Sequence, residues 1–338
     1  MKKATLIFLL LFALAACRER TQQASSTTAQ PATRTQQQDI TISQFSRVFI
    51  YLPLYVAVEK GFFSENGLRV HLVEGGGDEK TFAAVASGQA QFGVADPTFA
   101  AIAREKGQPG LVVASVVSGV PFWGVTKNPK IQKIDKPEGL RDLRIATYTA
   151  PSTNYTLMAT TLVDNRDRVG KARIVQGTFG SLLAMLDAGA ADVAMELEPT
   201  VSIAEQNGAR VVYSYPEAYG PYLLTGMYTK ESYAREHPDV VQRAVNALEK
   251  AMRYSHADPE GAVAVAKKVF PELDEKVIRV AVHRMLDAHT IPEHAVIDQT
   301  AWSNAVKVRI KAGDLRSEAT AAATIDKSFA QNALQQVK

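Results

Sequence analysis

Phe82-Ala83-Ala84-Val85-Ala86-Ser87-Gly88, then QAQFGVA (residues 89–95), then Asp96-Pro97-Thr98, a helical stretch to Gly107 and the run Leu111-Val112-Val113-Ala114, has an echo later in the chain. The second copy reads Leu183-Ala184-Met185-Leu186-Asp187-Ala188-Gly189, then AADVAMEL (residues 190–197), then Glu198-Pro199-Thr200, a helical stretch to Gly208 and Arg210-Val211-Val212-Tyr213. Each is helix, glycine, short strand, acid-Pro-Thr, helix, glycine, strand. Matching punctuation in the same order points to a duplicated α/β unit, and hence to two lobes built alike.

Working outward, short β-branched runs alternate with amphipathic stretches from Asp39 onward: Ile40-Thr41-Ile42-Ser43, a helix near Pro53 to Glu59, Arg69 to Val73, and a helix from Asp78. The order βαβα predicts a mainly parallel sheet with helices on its faces. Asp78 stands where it can cap the helix carrying Phe82 and Val85. The second unit opens near Leu143-Arg144-Ile145-Ala146, continues through a helix after Ser152 and the strand Arg173-Ile174-Val175, and ends near Tyr213. The expected division is lobe 1 from residues 39–124 plus 225–338, and lobe 2 from 125–224. Trp123 to Lys127 and Leu223 to Tyr228 are the expected crossings, forming a two-strand hinge. Beyond them the chain is helical. Ser232 to Tyr254 sets Val240, Val241, Ala244, Val245, Leu248 and Met252 on one face, with further helices at Val277 to Leu286 and Ala301 to Ile310, expected to cover lobe 1.

The amino terminus carries a different signal. Lys2 and Lys3 precede an apolar run from Leu6 to Ala13, and Leu14-Ala15-Ala16-Cys17 follows. A charged start, an apolar core too short to span a bilayer and small residues before a cut mark residues 1–16 as an export leader. The cysteine adds a lipoprotein reading, with acyl chains on Cys17 holding the protein on a membrane surface. Residues 17–38, rich in Gln, Thr, Ser and Ala, are expected to be a disordered tether. At about 20 residues such a chain reaches on the order of 25 Å.

The 338-residue chain is 46% hydrophobic, with room for about two ordinary domains. Its formal charge of +3 falls to +1 once Lys2 and Lys3 leave with the acid-free leader, giving no reason to expect nucleic acid. Cys17 is the sole cysteine, so disulfides are excluded. Six histidines are scattered, and the closest pair, His289 and His294, has Pro292 between them, so neither a metal site nor a cofactor is expected.

Tyr51-Leu52-Pro53-Leu54-Tyr55-Val56-Ala57-Val58-Glu59-Lys60-Gly61-Phe62-Phe63, then Asn66-Gly67-Leu68-Arg69-Val70, resembles the opening of the solute-binding proteins of the taurine, aliphatic sulfonate, nitrate and thiamine-pyrimidine-precursor importers. VASGQAQFGVAD, GLRDLRIAT and DVAMELEPTVSIAEQNG extend the resemblance from about Asp39 to Leu224. It implies a type II periplasmic-binding fold, a small polar or anionic ligand held between the lobes, and handover to the permease and ATPase of an ABC importer. It also implies an exported, periplasmic or cell-surface monomer that catalyses nothing. The rival is a small-molecule biosynthetic enzyme on the same two-lobed fold. Two departures from the family pattern are Leu197, where an aromatic often precedes the acid-Pro pair, and the lack of the cysteine-rich signature of the related eukaryotic synthases.

In open α/β lobes ligands sit beyond the carboxyl ends of strands, where helix amino termini present free amides. Ser152, Thr153 and Asn154, at such a helix start, are the leading candidates to contact a sulfonate, carboxylate or similar head. Asp96 and Glu198 occupy equivalent places in the two copies, where each caps a helix or receives a ligand ammonium or amidine. Were the strand to run on, Glu196 would share a side with Glu198, a spacing of about 6–7 Å that suits a glycosidase, but Pro199 is expected to end the strand first. Tyr51, Phe122 and Trp123 offer flat side chains to a pocket. Gly75-Gly76-Gly77-Asp78 lacks the Gly-Lys-Ser/Thr ending of a phosphate loop and reads as a tight turn whose backbone at Gly77 approaches the ligand.

Overall fold

The structure, a computed structural model, describes residues 37–338. The leader 1–16, Cys17 with its proposed lipid, and nearly all of the 17–38 tether lie outside the described residues. Ten strands build two sheets: β1 (Gln38–Gln44), β2 (Leu68–Glu74), β3 (Phe92–Ala95), β4 (Gly110–Ser118), β5 (Trp123–Thr126), β6 (Arg144–Tyr148), β7 (Arg173–Gly177), β8 (Val193–Glu196), β9 (Arg210–Ser214) and β10 (Leu223–Lys230). The first sheet runs β2-β1-β3-β10-β4 and the second β7-β6-β8-β5-β9. One order maps onto the other strand for strand, so the duplication read from the sequence is a duplication of topology.

The short strands of the two copies sit at the centre of their sheets. All four residues of β3 and all four of β8 are buried, which is why FGVA and VAME run without a solvent-facing alternation. Both sheets are mixed. β1 pairs in parallel with β2 and β3, and β6 with β7 and β8, as the βα order predicts. The fourth strand of each sheet, β10 or β5, is antiparallel to both of its neighbours.

That arrangement moves the hinge. Trp123 to Thr126 is β5, inside the second sheet, and Leu223 to Lys230 is β10, inside the first, so neither segment crosses between sheets. The chain passes over through residues 119–122 and returns through 215–222, and the two passages are tied by the Tyr215 amide donating to the Phe122 carbonyl at 3.0 Å. Sequence periodicity marks strands well and cannot say which sheet an inserted strand joins.

The carboxyl-terminal helices also differ from expectation. Ser232 to Tyr254 is not one helix: Glu231–Glu236 stops and Pro238–Ala257 begins anew, because Pro238 has no N–H to continue the ladder and suits a first turn. The apolar face from Val240 to Met252 is buried, and this helix packs on Leu52–Glu59 of the first lobe. The later helices reach the other sheet as well. Glu275–Asp287 packs on Thr200–Gln206, and Gln299–Ala312 on Thr153–Asp164. Among the described residues no helix is long and apolar enough to cross a membrane.

Gly93 in β3 lies opposite Tyr228 of β10, and a Cβ there would fall 2.2 Å from the tyrosine ring. Gly93→Ala is therefore expected to lower stability by about 1–3 kcal/mol through overpacking, read as a shift in the urea midpoint.

Candidate functional site

The carboxyl ends of the parallel strands of both sheets border one cavity of about 80 Å³. Phe45 follows β1, Asp78 opens the helix Asp78–Ala86 that follows β2, and Asp96 follows β3. Val48, Ile50, Tyr51, Leu224 and Thr225 complete that wall. Opposite stand Ser152, Thr153 and Asn154 after β6, Phe179 after β7 and Leu197 after β8, together with Tyr148 and Phe122. This is where an open α/β sheet presents loop and helix-start groups to a ligand, here from two sheets at once.

The helix Thr153–Asp164 begins as its sequence predicts. Ser152 is its N-cap, its Oγ accepting from the Tyr155 amide at 3.3 Å. Thr153 then reaches across the crevice: its hydroxyl donates to Asp96 Oδ2 at 2.8 Å. Asn154 is wholly buried, its Nδ2 donating to the Met195 carbonyl at 2.8 Å, while its Oδ1 has no protein donor among the described residues.

Asp96 is saturated. Oδ1 accepts from the Thr98 amide at 2.9 Å and the Thr98 hydroxyl at 2.6 Å. Oδ2 accepts from Thr153 and from Arg309 Nη2, the latter at 2.7 Å. Arg309 comes from the helix Gln299–Ala312 with its side chain 1% exposed, and all of its donors are engaged. Nε donates to Thr98 Oγ1 (3.2 Å), Nη1 to the Pro151 carbonyl (2.9 Å) and Asp314 Oδ2 (3.1 Å), and Nη2 also to Thr153 Oγ1 (3.1 Å). One guanidinium thus links the acid-Pro-Thr turn of the first copy to the helix start of the second unit.

Glu198 repeats the device on the other side. It accepts from the amide and hydroxyl of Ser202 at 3.1 and 3.0 Å, and its Oε1 lies 2.8 Å from Nε of Arg284, on the helix Glu275–Asp287. Burial pushes its carboxyl above the usual range, with Arg284 and Ser202 opposing. The cation that each acid faces is an arginine of this chain, so neither carboxylate waits unpaired for a ligand ammonium.

Of the residues singled out in the sequence as ligand contacts, Tyr51, Asp96, Phe122, Ser152, Thr153 and Asn154 border the cavity. Glu198, Trp123 and Gly77 do not. Trp123 packs instead beneath the Arg284 guanidinium, 5.8 Å from its ring centre. The Gly77 amide is already donated to the Phe45 carbonyl at 3.2 Å. β8 stops at Glu196, so the strand does not carry Glu196 and Glu198 onto one side. Glu196 accepts from the Tyr148 hydroxyl at 2.5 Å, and burial pushes its carboxyl up to about 7.

Asp78 is the residue that sequence reasoning missed. It does not cap its helix, since it is the first helical residue and its Oδ1 accepts from the Asp96 amide at 2.9 Å. Bordering the cavity leaves it partly accessible, yet protein atoms crowd it closely. Burial, and after it the Asp96 charge, push its carboxyl up to about 7. A signal was present, because an acid directly after a glycine turn at a strand's carboxyl end occupies the ligand-facing position of this architecture.

Residues 49–262 match the model of the family described as NMT1/THI5 like. The chain belongs to that family. Members of the NMT1/THI5-like family and of its fold are recognisable at low identity. YtlA of Bacillus subtilis (strain 168), which its name describes as a candidate binding protein, is 22% identical over 315 residues, 90% of this chain and 89% of YtlA. The alkanesulfonate-binding protein SsuA of Xanthomonas axonopodis pv. citri, solved bound to MOPS, superposes with a TM-score of 0.65 at 16% identity, over 87% of this chain and 99% of that one. The ligand-binding component of an ABC-type import system from Staphylococcus aureus, solved with zinc, gives 0.68 at 14% identity, over 88% and 99%. These likenesses establish the periplasmic-binding-protein fold. Among the described residues of this family member no cluster of three or more His, Cys, Asp or Glu is placed to hold a metal ion.

Proposed function

We propose that this NMT1/THI5-like protein is an exported solute-binding component of an ABC importer, anchored through lipid on Cys17, which captures a small solute between two lobes that meet at the passages 119–122 and 215–222. The observation that carries the reading is the cavity enclosed between the carboxyl ends of two pseudo-equivalent sheets, each supplying one wall. A ligand touching both walls favours the closed arrangement by contacts that the open one lacks, and so shifts the population without any chemical step. Asp96 cannot serve as a catalytic base while its four acceptor positions are filled. Handover requires only reopening at the passages 119–122 and 215–222.

Small-angle scattering of the full-length protein with and without a pooled extract of small metabolites tests the reading. A decrease in the radius of gyration, with a rise in melting temperature that grows with ligand concentration, is expected. An enzyme would instead alter the composition of the pool on prolonged incubation, and that result overturns the transport reading.

A further inference from the structure

The cavity offers acceptors on both walls and no free cation, its unpaired donors being the Thr153 and Asn154 amides, which meet no protein acceptor among the described residues. No arginine, lysine or histidine is among the residues lining it. The guanidinium of Arg309 touches Asp96 and Thr153 of the lining, but its Nε, Nη1 and Nη2 already serve protein acceptors. Among the carboxylate and amide side chains of the cavity two oxygens lack a protein donor, one on each wall. Asp78 uses Oδ1 for the Asp96 amide, and Oδ2 has no protein donor among the described residues. Asn154, wholly buried, leaves Oδ1 unpartnered. A buried acceptor without a donor is costly, so a ligand N–H reaching Asn154 Oδ1 relieves a penalty, while Asp78 Oδ2, on a half-buried residue, offers an acceptor to a second N–H. The amino terminus of the helix Thr153–Asp164 supplies the opposing influence, a dipole of about half a positive charge, less than the charge Asp78 carries once a bound cation ionises it.

Around these groups stand the rings of Phe45, Tyr51, Phe122, Tyr148 and Phe179. Flat faces with negative quadrupoles attract cations and repel anions. The 80 Å³ of space admits about six waters at roughly 10–15 Å³ each, and so a ligand of comparably few non-hydrogen atoms.

Resting on the solute-binding reading above, we infer that the ligand is a small organic cation, an amine or amidine, whose N–H groups bridge Asp78 of one wall and Asn154 of the other while its apolar part lies among the rings. Such a cation is expected to bind more tightly than a solute whose only charge is negative, although the alkanesulfonate-binding protein shares the fold.

The test is calorimetry on the full-length protein with butylamine, benzylamine and benzamidine against nitrate, butanesulfonate and benzoate. Binding of at least one amine or amidine is expected, weakened at least tenfold by Asp78→Asn. Asn retains the acceptor for the Asp96 amide, and an unchanged or raised urea midpoint of the variant shows that its fold is kept. Asp78 is faced by Asp96, Arg309, Tyr51 and Tyr228 from other elements and by Glu79 on its own helix. Protonated in part near neutral pH, it should release a proton when a cation binds, detected by comparing binding heats at pH 6.5 in buffers of different ionisation enthalpy. Tighter binding of an anion than of every cation, strengthening as pH falls, overturns this ligand class while leaving the solute-binding reading standing. Amine binding unaffected by Asp78→Asn, or silence from all six compounds, overturns the inference too; scattering with the metabolite pool then decides separately whether the protein is a solute binder.

Discussion

Arg309→Met is expected to lower the unfolding free energy by about 3–5 kcal/mol, the largest effect of any single substitution considered for this protein. The reason is asymmetry. With the guanidinium gone, the 5% exposed Asp96 is left without a charged partner, with only neutral donors from Thr98 and Thr153. The Pro151 carbonyl loses its donor as well. Removing both charges is a different matter, because replacing a buried ion pair by apolar side chains of similar volume is often neutral or stabilising. The double variant Asp96→Leu with Arg309→Met should therefore recover much of the loss. Urea unfolding of the wild type, both single variants and the double variant gives the coupling energy directly. Additive losses with no recovery would show that the ion pair is not the source.

Stability is expected to fall as pH rises from 5 to 8. Asp78 and Glu196 both have carboxyls pushed up to about 7, mainly by burial. In the unfolded chain they release their protons near pH 4, so between about pH 4 and 7 the folded state binds more protons than the unfolded one. The slope of unfolding free energy against pH is then negative. Glu198, also raised by burial, acts in the same direction. Asp192, lowered chiefly by its hydrogen bond with Arg144, contributes stability that is lost only as pH drops below the ordinary carboxylate range, outside this window. A tenfold difference in proton affinity between the folded and unfolded states corresponds to about 1.4 kcal/mol, and allowing for solvent near the cavity the combined loss should be about 2–4 kcal/mol. Urea unfolding at pH 5 and 8 measures it. Glu196→Gln should match the wild type at pH 5 and exceed it at pH 8; stability that instead climbs between these pH values would refute the assignment. A cation bound beside Asp78 should offset part of this loss, so occupancy and pH stability are linked.

Much of the frame was legible. The β-branched runs and their glycine and proline punctuation placed the strands to within a few residues, and the Phe82 and Leu183 segments disclosed the duplication that the two sheet orders repeat. Ser152 was legible as a helix start because capping is a local event. The antiparallel insertion of β5 and β10 was not, since sheet membership is set by partners far away in sequence. Nor were the clasps. Arg309 meets Asp96 across 213 residues, and nothing around either residue announces the other.

By itself the sequence determined two α/β units, a crevice at their strand ends and which residues start the helices that face it, because periodicity, capping and turn chemistry act over a few residues. Only the tertiary structure decided the charge of that crevice. Asp96 and Glu198 look alike in sequence, and both are neutralised by arginines that the last helices bring back, Arg309 and Arg284. Asp78, which looked like a cap, is left facing the cavity with an oxygen to offer. Electrostatic character follows from which charges meet and how much water remains between them, and those are consequences of packing alone.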